Sequence, residues 1–340
     1  MTDRSVGSAG PLRGQALRAG GTIGVPAPSS PFENRSEIDR GVRWWEERGY
    51  KVKLGAGVYA QDDYFAGDPE TRARDLNALF ADPEVDVVQT LRGGYGASQV
   101  VPLLDYDVIA ENPKPLVGFS DITALHVAIR QRTGLVTFYG PGLTGMGNPK
   151  REWSKERLVN ALGSTEPLGE IPARPEDPYV GSLASGRATA PIVGGCLWLL
   201  RETLATPWEF DMDGCILFFE DVHAPPWHVD GMLTQFRNAG KLEQVAGIVI
   251  GEMFASDPTK VQDPWLRSRS MEDVFEQHLE PLGVPVVFNL PLGHGENLWT
   301  LPLGVTATVD AAARTVTIDD PALEPATQLA AASSASPSRT

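Results

Sequence analysis

The run Pro115-Leu-Val-Gly-Phe-Ser-Asp-Ile-Thr-Ala-Leu-His126 decides the fold. Its first half, Pro115 to Phe119, is a short apolar strand. Its second half opens a helix that runs from Asp121 to Arg132. A strand that feeds a helix returns to the sheet as a parallel neighbour, because parallel pairing needs a crossover. The same alternation extends upstream. Gly21–Val25 is a strand broken by Pro26 and Pro28, and Glu33–Arg48 is a helix with Ile38, Val42 and Trp45 on one face and Gly49 at its end. Tyr50–Leu54 alternates as a strand. Asp68-Pro69 starts a helix with an N-cap carboxylate and a proline at the first helical position; Leu76, Leu79 and Phe80 face inward, and Asp82-Pro83 closes it. Val85–Leu91 is the next strand, followed by the glycine cluster Arg92-Gly-Gly-Tyr-Gly96 and a short helix through Val100 and Leu104.

Downstream the pattern changes. Residues 148–186 are rich in Pro, Gly and charge and read as a linker. Beyond them lie short strands at Cys215–Phe219, Val245–Ile250 and Val284–Phe288, a helical segment at Val229–Ala239, and a late hairpin from Val305–Val309 and Thr315–Ile318. The expected organisation is a disordered segment at 1–19, an N-terminal domain at 20–147, the linker at 148–186, a C-terminal domain at 187–320 and a disordered tail at 321–340. A length of 340 residues fits that division, since domains run to roughly 100–200 residues each.

Charge excludes some functions. Lys and Arg total 29 against 44 Asp and Glu, a net charge of −15. Such a surface repels phosphate backbones and anionic lipid, so no nucleic-acid or membrane partner is expected. The cysteines, Cys196 and Cys215, sit in apolar runs and read as small buried hydrophobes, not a disulfide framework or zinc site. Met1–Ala19 lacks the apolar core of a signal peptide, and no apolar run approaches the ~20 residues that span a bilayer. A cytoplasmic protein is expected.

Candidate chemistry gathers at strand ends, where α/β sheets display functional loops. Ser120 leaves a buried strand and opens a helix. A tight turn there projects the hydroxyl above the sheet, and the helix N-terminus offers N–H groups to an oxyanion. The same position favours serine as a plain N-cap, and the local pattern leaves both readings open. Arg92–Gly96 also follows a strand; its glycines allow close backbone approach, but the third glycine of a dinucleotide fingerprint is replaced by Gln99. A serine nucleophile needs a base and an orienting acid. Of 5 histidines, His126 lies inside a helix and reads as structural, and His278 lies in a charged helix and reads as solvated. His223 and His228 flank Pro225-Pro226. His294 sits in a glycine-flanked turn after a strand, placed equally well for a base or for a solvated loop residue. Glu220 ends the strand Cys215–Phe219 and is placed to accept an imidazole N–H, or is simply the first polar residue leaving the sheet. Glu220-Asp221 with His223 lacks a second ligand pair, so no metal is expected.

Taken together, these runs resemble the LD-carboxypeptidase family of serine peptidases, which includes the microcin C self-immunity peptidases. The matching runs are Gly24-Val-Pro-Ala-Pro-Ser29, Arg92–Gly96, Pro115–His126, Leu217-Phe-Phe-Glu-Asp221, Met232-Leu-Thr-Gln235 and Pro291-Leu-Gly-His-Gly295, in family order over about residues 21 to 318. The resemblance implies an α/β fold: an N-terminal parallel-sheet domain, glutamine-amidotransferase-like or flavodoxin-like, and a C-terminal α/β domain with mixed strands. It implies a triad of Ser120, His294 and Glu220, an oxyanion hole from the backbone N–H groups of Gly94 and Asp121, and substrate contacts at Arg92, Gly93 and Cys196. It further implies no cofactor, a small peptide substrate cut before a terminal D-amino acid, and a homodimer. Cys196 stands where the family often has asparagine, and Gly231 where it often has arginine, so a peptide antibiotic or peptidyl-nucleotide is an alternative substrate. An ordinary α/β-hydrolase is disfavoured by the missing second elbow glycine, and a non-catalytic ligand-binding protein on the same fold is the remaining reading.

Overall fold

The computed structural model describes residues 10–256 and 264–326. Its strands are β1 (Thr22–Val25), β2 (Lys51–Leu54), β3 (Val87–Gln89), β4 (Leu116–Gly118), β5 (Thr137–Tyr139), β6 (Gly169–Glu170), β7 (Gly181–Leu183), β8 (Arg187–Cys196), β9 (Ile216–Val222), β10 (Gly247–Phe254), β11 (Val286–Gly293), β12 (Leu301–Leu303), β13 (Thr306–Asp310) and β14 (Thr315–Ile318). The first sheet has six strands in the order β12-β5-β4-β3-β1-β2. Its members from the N-terminal half are all parallel, as the strand–helix alternation requires. Helices supply the crossovers. One of them, Pro69–Ala81, begins as its sequence dictates: Asp68 accepts the Thr71 N–H at 2.6 Å, with Pro69 in the first turn.

The second sheet has eight strands in the order β6-β14-β13-β8-β9-β10-β11-β7. Its centre, β8-β9-β10-β11, is parallel, whereas β13, β14 and β6 on one side and β7 on the other are antiparallel. The hairpin expected at the end of the chain is β13–β14.

The expected linker, 148–186, is structured. It contains a helix, Glu152–Gly163, that buries Leu158, Ala161 and Leu162. It also supplies β6 and β7, which form the two edges of the second sheet. Edge strands are short and tolerate Pro, Gly and charge, so their composition reads as a linker. A second crossing ties the halves together. After β11 the chain returns to the first sheet, where β12 pairs antiparallel with β5 in the register Leu301↔Tyr139. Apolar side chains of both sheets, among them Ile23, Phe138, Phe218 and Val249, join in one buried cluster.

Of the segments expected to be disordered, residues 1–9 and 327–340 lie outside the described residues. The described parts are packed instead. Leu12 donates to the Gly134 carbonyl (3.0 Å) and accepts from Val136 (2.8 Å), while Ala16 donates to Glu324 (2.8 Å) and Leu17 to Leu162 (2.7 Å). Leu17, Ala322 and Leu323 are buried. Backbone pairing and a few apolar side chains order these stretches, neither of which composition reveals. His278, expected in solvent, is likewise buried at 2% exposure, with its ring against Asp230; the helix Met271–Leu279 turns it inward together with Val274 and Phe275. Among the described residues no helix is long and apolar enough to cross a membrane.

One glycine fixes how closely β8 and β9 approach. Gly194 has φ 146°, and a Cβ there would lie 1.7 Å from the Phe218 carbonyl oxygen. Gly194→Ala is expected to cost about 3 kcal/mol or more from combined backbone strain and overpacking. Thermal or urea unfolding of the purified variant measures the loss.

Candidate active site

Ser120 sits between β4 and the helix Thr123–Thr133 with φ 63°. That is the left-handed region, which costs a non-glycine residue roughly 1–2 kcal/mol. The strain turns the chain sharply at the end of a buried strand. Its backbone is held from one side by Tyr139 of β5, whose hydroxyl accepts the Ser120 N–H at 3.0 Å.

The glycine cluster packs against this turn. A Cβ on Gly93 would meet the Phe119 carbonyl oxygen at 3.0 Å, the Ser120 Cβ at 3.1 Å and the Asp121 nitrogen at 3.3 Å. Any side chain there would crowd the turn at Ser120, which accounts for glycine at this position. Gly94 follows with φ 119°, and the Tyr95 N–H donates to Ser30 Oγ at 3.0 Å. Two buried side chains brace the loop. Asp121 Oδ2 accepts the Ala97 N–H at 2.8 Å, and burial raises the pKa of this carboxyl. Arg72, 1% exposed, donates to the carbonyls of Pro28 (2.7 Å), Gly96 (2.8 Å) and Gly67 (3.0 Å) and to Gln99 Oε1 (2.7 Å). A single guanidinium thus pins the loop after β1 to the loop after β3. The planar fork of arginine suits such divergent acceptors.

Glu220 and His294 come from the second sheet. Glu220 lies on β9 and is fully buried. His294 directly follows β11, the second neighbour of β9 across β10. The His294 Nδ1 and Glu220 Oε2 atoms are 2.7 Å apart, a charge-assisted contact that fixes the proton on Nδ1 and leaves Nε2 as the acceptor nitrogen. Burial lowers the His294 pKa, but the carboxylates of Glu220 and Asp221 outweigh it, and the net shift is upward. The ring of Phe119, the residue before Ser120, lies 5.1 Å from the imidazole between centroids. Tyr139 closes the circuit: its hydroxyl donates to Glu220 Oε1 at 2.5 Å. The chain of contacts therefore runs from the Ser120 N–H through Tyr139 and Glu220 to His294. Among the described residues no hydrogen bond joins Ser120 Oγ to His294 itself; such contacts commonly tighten only when substrate is bound.

The other expected residues fall as follows. Cys196 pairs in register with Glu220. It is 3% exposed, its N–H donates to Thr123 Oγ1 at 2.9 Å, and burial together with the Glu220 and Asp221 carboxylates pushes its thiol well up. It is a neutral, buried neighbour of the acid. Arg92 is half-buried, and its guanidinium lies 5.3 Å from the Phe32 ring centroid. Burial lowers its pKa, and among the described residues it has no carboxylate partner. His126 is buried in its helix, 2.9 Å from the Gly118 carbonyl oxygen, and burial lowers its pKa to about 4. Asp221 is pushed up to about 6 by burial and by Glu220, and its carboxylate accepts the Trp198 N–H at 3.0 Å. Tyr139 and Arg72 escaped the sequence reading. A tyrosine in a three-residue apolar strand and an arginine in a charged helix look like core and solvent, respectively, and only pairing across the fold reveals them.

Comparison with known proteins shows the family. Residues 23–140 match the model of the LD-carboxypeptidase N-terminal domain, and residues 189–309 that of the C-terminal domain. A probable murein peptide carboxypeptidase of Bacillus subtilis is 36% identical over 90% of this chain and 93% of its own length. A murein tetrapeptide carboxypeptidase of Pseudomonas aeruginosa is 31% identical over 85% and 93%. Among solved structures, the microcin C7 self-immunity protein MccF in complex with glutamyl sulfamoyl guanosine superposes with a TM-score of 0.80 at 26% identity, covering 92% of this chain and 100% of that one. On that extent of likeness the chain belongs to the LD-carboxypeptidase family and is a serine-type carboxypeptidase.

Proposed function

We propose that the enzyme removes a terminal D-amino acid from a muropeptide tetrapeptide, in the recycling of peptidoglycan, with Ser120 as nucleophile, His294 as general base and Glu220 as the orienting acid. The observation that carries this reading is the strained Ser120 at the end of a strand of one sheet, together with the half-buried His294 held by the fully buried Glu220 of the other. Residues 20–147 supply the nucleophile, and residues 187–320 the base and acid.

The mechanism follows from these placements. Ser120 Oγ attacks the scissile carbonyl carbon while His294 Nε2 takes its proton. Glu220 keeps the imidazole in the needed tautomer and stabilises the imidazolium. The oxyanion is met by backbone N–H groups of Gly94, beside Gly93 in the turn packed on Ser120, and of Asp121. Each such donor lowers the barrier by roughly 3–4 kcal/mol. The Ser120 N–H takes no part, since Tyr139 already occupies it. His294 then gives its proton to the departing amine, and water, deprotonated by the same imidazole, hydrolyses the acyl-enzyme. Arg92 is suited to the terminal carboxylate of the substrate, because a half-buried guanidinium without an acidic neighbour gains most from an incoming anion. No cofactor enters this scheme. We further take the protein to act in the cytoplasm as a homodimer, as the family resemblance implies.

One observation keeps a second substrate in view. Cys196 replaces a residue that is often asparagine in the family, and its buried thiol lacks the amide donor and acceptor of that side chain. A peptidyl-nucleotide or peptide antibiotic is the alternative, in line with the ligand held by MccF.

D-Alanine release from muropeptide tetrapeptide is expected for the wild-type enzyme, with Ser120→Ala reducing kcat at least about 10³-fold. Equal release by both proteins would refute the serine mechanism, and no release by either would move the assignment to the antibiotic substrate. The pH profile is a separate check. His294 must be neutral to act as base, and its pKa is raised, so kcat/KM is expected to rise with pH through an apparent pKa above the ordinary imidazole value of about 6.5. Glu220→Gln removes the charge that raises it. That limb should then move to lower pH while kcat falls.

A further inference from the structure

Tyr139 has no role in the reaction scheme above, yet it touches two members of the proposed triad. Its ring is fully buried. It is fixed by Phe218 (5.2 Å between centroids), His126 (6.0 Å) and Phe119 (6.2 Å). Its backbone is fixed as well. On β5, Tyr139 pairs with Gly118 of β4 on one side and Leu301 of β12 on the other. Gly118 lies just before the nucleophile turn, and β12 is the strand that follows the His294 loop. The tyrosine thus sits at the seam where the two sheets meet, with little freedom in where its hydroxyl points.

That hydroxyl uses both of its hydrogen-bonding capacities. It accepts the Ser120 N–H at 3.0 Å and donates to Glu220 Oε1 at 2.5 Å, while Glu220 Oε2 faces His294 Nδ1 at 2.7 Å. A buried carboxylate with a single donor can swing about its last torsion; with a donor on each oxygen its plane is set. The Ser120 N–H, in turn, belongs to a residue whose φ of 63° must be held against its own preference.

We propose that Tyr139 is a positioning residue, which locks the Glu220 carboxylate plane against His294 and holds the strained Ser120 backbone through one shared hydroxyl. This inference rests on the Ser120–His294–Glu220 reading. Tyr139→Phe keeps the ring packing and removes only the hydroxyl, leaving Glu220 Oε1 and the Ser120 N–H unpartnered in a buried site. A purely structural tyrosine would, on this change, lower stability alone.

The test compares wild type, Tyr139→Phe and Ser120→Ala, first confirming by circular dichroism and thermal unfolding that each is folded. For Tyr139→Phe, kcat on muropeptide tetrapeptide is expected to fall about 10- to 100-fold, as is typical when a partner orienting a reacting group is lost, with KM within about twofold. A second readout is the titration of the His294 imidazole by NMR in the free protein. The imidazole is faced by Glu220, Asp221 and Arg151. Without the tyrosine donor, Glu220 presents its full charge to the ring, so the midpoint should move to higher pH, and the acid limb of kcat/KM with it. An unchanged kcat and an unchanged His294 midpoint would overturn the proposal, even with Ser120→Ala inactive. Activity retained in Ser120→Ala would instead overturn the triad reading, and the His294 midpoint would still decide whether Tyr139 acts on the Glu220–His294 pair. Should Tyr139→Phe not fold, Tyr139→Trp and Tyr139→Met serve in its place, judged by the same two readouts.

Discussion

A carboxylate with no access to water organises the candidate active site. Glu220 is buried completely, and an isolated charge in such a place costs several kcal/mol. What makes it tenable is one donor on each oxygen: the His294 imidazole from the same sheet and the Tyr139 hydroxyl from the other. The carboxylate therefore requires both sheets to be in place. In return it raises the pKa of His294 and fixes which ring nitrogen is free to accept a proton. Cys196, Asp221 and His294 all feel its field, which pushes the pKa of each upward.

The chain path serves that requirement. The chain leaves the second sheet after the His294 loop, and as β12 it pairs with the strand that carries Tyr139, so the C-terminal half physically completes the N-terminal sheet. On the opposite side, the Arg72 guanidinium fastens the glycine loop to the loop after β1, and the Asp121 carboxylate fastens it to the turn at Ser120. Strain at Ser120 is thus distributed over a frame whose parts are distant in sequence but rigid in space, the usual condition for keeping a residue in an unfavourable conformation.

Much of this was legible in the sequence, for identifiable reasons. Strand–helix alternation is a strong periodic signal, and it predicted the parallel first sheet. Ser120 and His294 each stand at a strand end, and Glu220, expected to end its strand, lies within β9, which runs on to Val222; all three are polar residues conspicuous against an apolar run. Other features left no local mark. β6 and β7 are short edge strands written in linker composition. Leu12 to Leu17 sit in a Gly- and Arg-rich stretch and are ordered by backbone pairing with distant residues. His278 shares a charged helix with its acidic neighbours, and only the direction of its face buries it. Tyr139 and Arg72 act through partners far away in the chain, such as Glu220, 81 positions on, and no window of local sequence contains such a pair.

The bond between Glu220 and His294 holds the candidate site together, and proton NMR of the free enzyme observes it directly. An imidazole Nδ1–H donated to a buried carboxylate resonates far downfield and exchanges slowly with water. Such a resonance is expected in the wild-type protein and in Ser120→Ala, and should vanish in Glu220→Gln. A spectrum without it, or one in which Glu220→Gln leaves it unmoved, would contradict the arrangement on which the site depends.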